Sequence, residues 1–149
     1  MTNSAERVDI AIIGGGCSGT LTAIQLGRQT AGSQYARLKV ALIERAAQVG
    51  RGVAYGTECP QHILNVPAAG MTALPDEPDN FLRWVQERAP SATAEDFISR
   101  AWYGEYLQET LAQHAPPLDL RMVHQAATDV TVQPHIGAIV HLADGGQIP

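Results

Sequence analysis

The chain has 149 residues, of which 45% are hydrophobic and 17% charged, the proportions of one folded domain rather than of a disordered segment. Its formal net charge is -5, and its ten basic residues, nine arginines and Lys39, are scattered, which excludes the basic footprint of a nucleic-acid partner. No apolar run approaches the ~20 residues of a membrane span, and no basic segment leads into one, so no membrane partner is expected and the cytoplasm is the expected compartment.

Residues 8–13 form an apolar run interrupted only by Asp9, the pattern of a parallel strand covered on both faces. A helix is predicted over residues 18–29, where Leu21, Ala23, Ile24 and Leu26 supply apolar surface and Thr22, Gln25 and Gln29 recur as a polar stripe. Residues 37–44 read as a second buried strand ending in an acid, which completes a βαβ unit. From 50 to 78 the pattern is irregular, punctuated by glycine and proline, and long loops of this kind tend to be functional. Helical spacing returns over 79–88 and 94–114, the second with Thr93 and Asp96 as a capping pair. Pro116 and Pro117 end that helix. A third parallel strand is expected over 118–124, then a hairpin of 128–133 with 138–142 closed near 134–137, then a tight turn at 144–146.

Between the first strand and the first helix lie Gly14, Gly16 and Gly19, spaced as GxGxxG. In that position the first glycine allows a sharp turn, the second allows close backbone approach to a pyrophosphate, and the third allows helix and strand to pack closely. Anionic phosphates can then meet free amide groups at the positive end of a helix. Cys17 and Ser18 lie inside this loop and complete its candidate contacts. Glu44 ends the second strand, where a dinucleotide fold places the carboxylate that binds the adenosine ribose. An acid there disfavours a 2′-phosphate, with Arg45 beside it as a counterweight, and the adenosine expected is that of FAD or NAD.

Other chemistry is weaker. The five histidines, His62, His114, His124, His135 and His141, lack metal-ligand spacing, and no metal is expected. Ser18 is not a nucleophile elbow, because Thr20 stands where GxSxG needs its second glycine. Cys17 and Cys59 are too far apart for a CxxC pair and are expected as plain thiols. Trp84, Trp102, Tyr103 and Tyr106 fall in helical segments and are expected in the core or as a wall near a cofactor.

Several motifs occur in one order: the loop at 14–19, Leu42-Ile43-Glu44-Arg45, then Val49-Gly50-Arg51-Gly52-Val53-Ala54-Tyr55, then His62-Ile63-Leu64-Asn65-Val66-Pro67-Ala68 with Met71. They continue as Asp79-Asn80-Phe81-Leu82-Arg83-Trp84-Val85 and Arg100-Ala101-Trp102-Tyr103-Gly104-Glu105-Tyr106-Leu107. In this order they resemble the N-terminal part of the bacterial FAD-NAD(P)-binding protein family, and more distantly the flavin-containing monooxygenases and the lysine or ornithine N-hydroxylases. The resemblance implies an α/β fold, a Rossmann-like FAD-binding βαβ unit with a parallel sheet, inserted helices and a β-hairpin, spanning 1–149 as the N-terminal part of an FAD/NAD(P)-binding domain. It implies that Gly14, Gly16 and Gly19 hold the FAD pyrophosphate, that Glu44 holds the ribose, and that the Gly50-Arg51-Gly52 turn passes close to the cofactor. Arg51 could supply charge to a diphosphate and Gly52 could permit close approach, against the alternative of a surface loop. Asn65, between Leu64 and Val66, would need a hydrogen-bond partner if buried, either the cofactor or a turn backbone.

Such flavoproteins continue past their hairpin into a strand and an Ala-Thr-Gly turn that close against FAD. The sequence ends at Gln147-Ile148-Pro149 without them and holds no second GxGxxG, so the expected fold is incomplete and the NAD(P)H site lies outside it. The expected function is the FAD-binding segment of an NAD(P)H-dependent flavoprotein oxidoreductase, a monooxygenase or hydroxylase of a small molecule. A non-catalytic dinucleotide-binding module and an NAD-dependent dehydrogenase are the other readings open at this point.

Overall fold

The structure is a computed structural model, and it describes residues 6–35, 37–134 and 137–149. β1 (Ile10–Ile13) leads through the glycine loop into α1 (Cys17–Thr30), which returns the chain to β2 (Lys39–Ile43). The two strands pair in parallel, Ile10 opposite Val40 and Ile13 opposite Ile43. A short α2 (Gly52–Tyr55), a 3-10 turn (Ala68–Gly70), α3 (Asn80–Gln86) and α4 (Arg100–His114) come before β3 (Asp119–Val123), which pairs in parallel with the other side of β2. The sheet order is β1-β2-β3. β2 is therefore covered on both edges and both faces, which is why its residues 40–43, after Lys39, are all apolar and buried.

Side chains of β2 alternate between two cores. Leu42 packs with Ala23 and Ile24 of α1 and Leu111 of α4, whereas Ala41 and Ile43 pack with Val140, Leu142 and Ile148. Those last three belong to a second, antiparallel sheet of β4 (Ala127–Gln133), β5 (Gly137–Leu142) and β6 (Gln147–Ile148). The molecule thus has helices on one face of the parallel sheet and a small sheet on the other, a Rossmann-like α/β architecture. α1 and α4 approach closely where a Cβ on Gly27 would lie 2.0 Å from the carbonyl oxygen of His114. A third core joins Leu64, Phe81 and Trp84 to Tyr103, Tyr106 and Leu107, with Trp102 packed against it.

The strands and helices fall within a few residues of their predicted positions, with one exception. The helix expected over 94–114 begins only at Arg100. Residues 94–98 cannot make helical bonds, because the carbonyls of Ala94, Asp96 and Ile98 accept from the amides of Ala69, Ala68 and Leu64. Thr93 and Asp96 do bond, backbone and hydroxyl of Thr93 both donating to Asp96 Oδ2, but they close a turn ahead of the helix. The cap is Ser99, whose hydroxyl accepts the Ala101 amide at 3.3 Å. The turn at 144–146 leads into β6, which pairs with β5 through Val140 and His141. His135 and the tip of the hairpin at 135–136 lie outside the described residues. No helix among the described residues is long and apolar enough to cross a membrane.

Candidate cofactor site

The glycine loop is held from below. Gly14 takes φ +98°, a region that L side chains avoid, and its amide donates to the Ile43 carbonyl at 2.8 Å. A Cβ on Gly19 would stand 1.8 Å from the Gly14 carbonyl oxygen, so the third glycine of the motif is what lets α1 start so close to β1. Gly15, which GxGxxG leaves free, is constrained as tightly, since a Cβ there would come within 2.8 Å of Glu44 Cβ and 3.0 Å of Val49 Cγ1.

α1 opens on Gly16, which has no side chain to cap it. The first-turn amides of a helix have no intrahelical acceptor, so those of Cys17, Ser18 and Gly19 present donors at the positive end of the macrodipole. Ser18 is exposed there. The Cys17 side chain instead turns inward against the aromatic core. Burial pushes its thiol pKa up, partly offset by the Tyr55 hydroxyl.

Glu44 follows β2 directly and is bound by backbone at both oxygens, Oε2 from Gly15 at 2.8 Å and Oε1 from Ala46 at 2.9 Å. Each carboxylate oxygen retains a lone pair that a ribose hydroxyl can use. A cavity of about 490 Å³ opens beside it, lined by residues 44–48, 51–53 and 56, and a second of about 230 Å³ runs from Gly14 past Arg45 to Gln125, Ala126 and Ala127. Arg45 is exposed between them.

A strap from Gly50 to Gly56 lies across the glycine loop. The Gly50 amide donates to the Gly15 carbonyl at 2.7 Å, and Gly50 and Gly52 both have positive φ, +78° and +51°. Backbone meets backbone at Gly52, where a Cβ would lie 3.1 Å from the Gly16 Cα. The Arg51 guanidinium is anchored loosely by Glu105 at 3.8 Å, and its Nε is buried without a hydrogen-bond partner. A buried donor left unmatched costs free energy, and an anionic oxygen would satisfy it. Free helix-start amides, a side-chain-free approach at Gly16 and Gly52, an unmatched guanidinium nitrogen and a carboxylate with spare acceptor capacity fit a nucleoside diphosphate.

The structure brings the loop, Glu44, Arg45, Arg51 and Gly52 to one edge of the sheet. Asn65 is exposed, so burial does not impose a partner on its amide. The sequence reading passed over Gly15, Tyr55 and Gly104. Gly104 had a visible signal, a glycine in the middle of a helix, which costs about 1 kcal/mol relative to alanine. The close approach of the strap fits glycine there, since a Cβ would lie 3.1 Å from the Tyr55 carbonyl oxygen and 3.2 Å from Arg51 Cγ, and the strap would have to shift by a few tenths of an ångström.

No curated protein matches the chain. Among solved structures it is similar to a flavin-containing monooxygenase from Stenotrophomonas maltophilia at 24% identity and TM-score 0.62, over 96% of this chain and 36% of that one. It is similar to an oxidised steroid monooxygenase bound to NADP at 20% identity and TM-score 0.68, over 96% and 24% of the two chains. A putative thioredoxin reductase TrxB from Bacillus anthracis aligns at 16% identity and TM-score 0.51, over 94% and 33%. The chain spans about a third or less of the length of these structures, and at such identities the likeness is one of fold. The family described as FAD-NAD(P)-binding matches residues 11–149, which takes in every part of the glycine loop, Glu44 and the strap, and the chain belongs to that family.

Proposed function

We propose that this chain is the N-terminal FAD-holding part of an NAD(P)H-dependent flavoprotein oxidoreductase, with Gly14, Gly16 and Gly19 against the FAD diphosphate and Glu44 on the adenosine ribose. The observation that carries the reading is the convergence of the side-chain-free start of α1, the backbone-locked Glu44 and the unmatched Arg51 Nε on one edge of the sheet. FAD bound there would supply two-electron redox chemistry with a reduced nicotinamide as its partner.

The protein groups bind and orient. Amides of Cys17, Ser18 and Gly19 offer hydrogen bonds to phosphate oxygens, and Arg51 adds positive charge on the strap side. Glu44 accepts from ribose hydroxyls and, being anionic, opposes a phosphate at the 2′ position. Arg45 at the cavity rim is placed to meet the adenosine end. Cys17 serves through its main chain, since its side chain packs inward.

Similarity in fold to flavin monooxygenases supports oxygenation of a small molecule as the activity of the full protein. A small-molecule substrate suits a chain of net charge -5 with scattered arginines better than a nucleic acid does.

The test is an absorbance spectrum of the purified full-length protein with mass spectrometry of what denaturation releases, followed by addition of NADH or NADPH. Blue-region flavin absorbance, FAD mass and bleaching by the nicotinamide are the expected results. NAD in place of FAD would contradict the reading in favour of a dehydrogenase, and bound FAD that neither nicotinamide bleaches would contradict the oxidoreductase.

A further inference from the structure

We infer that Gln108 and Thr20 are positioning residues for the cofactor: together they lock the Gly15–Gly16 peptide so that the Gly16 amide is held out as a donor to the FAD diphosphate. The inference deepens the reading of the glycine loop as a diphosphate site and rests on it.

A peptide between two glycines turns over more easily than others, because neither residue has a Cβ to restrict its backbone. In a trans peptide the carbonyl and the N–H that follows it point in opposite directions, so turning this one over would exchange a donor for an acceptor at the start of α1. Two donors oppose that turn. The Gly15 carbonyl accepts the Gly50 amide at 2.7 Å and the Thr20 hydroxyl at 3.1 Å. Gly15, Thr20 and Gly50 are all buried, so a turned peptide would strand both donors away from water, which is unfavourable.

The Thr20 hydroxyl departs from the local pattern. Thr22, Thr30 and Thr110 each bond the carbonyl four residues back within their own helix, a common helical arrangement. Thr20 reaches five residues back, past the start of α1 and into the loop. Gln108 of α4 acts through one peptide more. Its Nε2 donates to the Val49 carbonyl at 2.8 Å, and the N–H at the other end of that same peptide is the Gly50 amide that holds Gly15. Gln108, peptide 49–50 and peptide 15–16 thus form one hydrogen-bonded row ending at the Gly16 N–H, for which no backbone acceptor occurs among the described residues. Each bond in such a row polarises the next, which makes the terminal N–H a stronger donor to an anion.

The test uses the full-length protein and measures the rate of FAD release from fluorescence recovery of the freed flavin, together with the phosphorus NMR resonances of bound FAD. Thr20→Val keeps the shape of the side chain and removes its hydroxyl, and Gln108→Leu removes the amide donor. Each should release FAD roughly two- to tenfold faster and shift the diphosphate resonances. Thr20→Ser, which keeps the hydroxyl, should release FAD within about twofold of the wild-type rate. Arg88→Ala, which loosens the fold elsewhere, should change neither quantity, and so separates positioning from stability alone. Should Thr20→Val fail to fold, Gln108→Leu carries the test. A wild-type release rate or unmoved resonances in either folded variant would overturn the lock, as would Thr20→Ser releasing FAD as fast as Thr20→Val. Wild-type protein that takes up no FAD at all would overturn the glycine-loop reading beneath it, and the lock with it, an outcome distinct from FAD that binds and leaves every variant alike.

Discussion

Glu44 accepts the Gly15 amide at Oε2 and the Ala46 amide at Oε1, at 2.8 and 2.9 Å, so the acid that ends β2 is locked in place by backbone on both sides of its carboxylate. Preorganisation of this kind lowers the ordering cost of binding. Glu44→Ala strands two amides and removes the ribose acceptor. It should weaken FAD binding at least about tenfold and lower stability by about 1–3 kcal/mol. Glu44→Gln turns an amide donor toward one of two N–H groups and should lose most of the same affinity. Flavin titration and urea unfolding of both variants check this.

Gly19 and Gly27 sit on the same helix and fail for different reasons. A Cβ at Gly19 would strike the Gly14 carbonyl at 1.8 Å, and one at Gly27 would strike His114 at 2.0 Å. Either alanine should destabilise by about 1–3 kcal/mol, the cost of overpacking. Only Gly19→Ala deforms the glycine loop, so protein that remains folded should bind FAD normally with Gly27→Ala and poorly with Gly19→Ala.

Arg88 caps the aromatic core from outside. Its guanidinium lies 3.6 Å over the Trp84 ring and reaches Glu109 Oε1 at 2.6 Å, while the Trp84 indole donates to Glu109 Oε2 at 2.7 Å. Arg88→Ala should cost about 0.5–2 kcal/mol of stability. FAD affinity should not change, because Arg88, Trp84 and Glu109 do not line the cavities beside the glycine loop. Thermal unfolding and titration of one preparation separate the two quantities.

Burial, with the neighbouring Cys17, Tyr55 and Tyr106 adding to it, raises the Tyr103 hydroxyl pKa well above the ordinary tyrosine value of 10.0. The protonated phenol is the form the folded state prefers. Its contribution is complete below pH 10 and is lost as pH rises from there toward the folded-state pKa, because the unfolded chain ionises first. Urea unfolding from pH 9 to pH 11.5 should therefore show stability falling with pH, with a shallower fall in Tyr103→Phe. Equal slopes would remove Tyr103 as the cause.

What the sequence made legible was local. The β1–α1–β2 unit follows from an apolar run, three glycines and an amphipathic stretch, and the place of Glu44 follows from the end of β2. What it concealed depends on residues far away along the chain. The start of α4 was hidden because residues 64–69 claim the carbonyls of 94, 96 and 98, and no pattern within 94–98 announces that. Gly15 is confined by a side chain 29 positions later, and the packing of Tyr55 and Cys17 against one aromatic core is visible only once the strap folds back. β6, two residues long, carries too little periodicity to be read as a strand.

The central claim, that the start of α1 grips a diphosphate, is tested most directly by Ser18→Asp. Ser18 is exposed in the first turn of α1, where an acid favours the helix dipole yet repels a phosphate. The account expects FAD affinity to fall by roughly tenfold or more while the melting temperature of the FAD-free protein holds or rises. FAD binding by Ser18→Asp at wild-type affinity would contradict it.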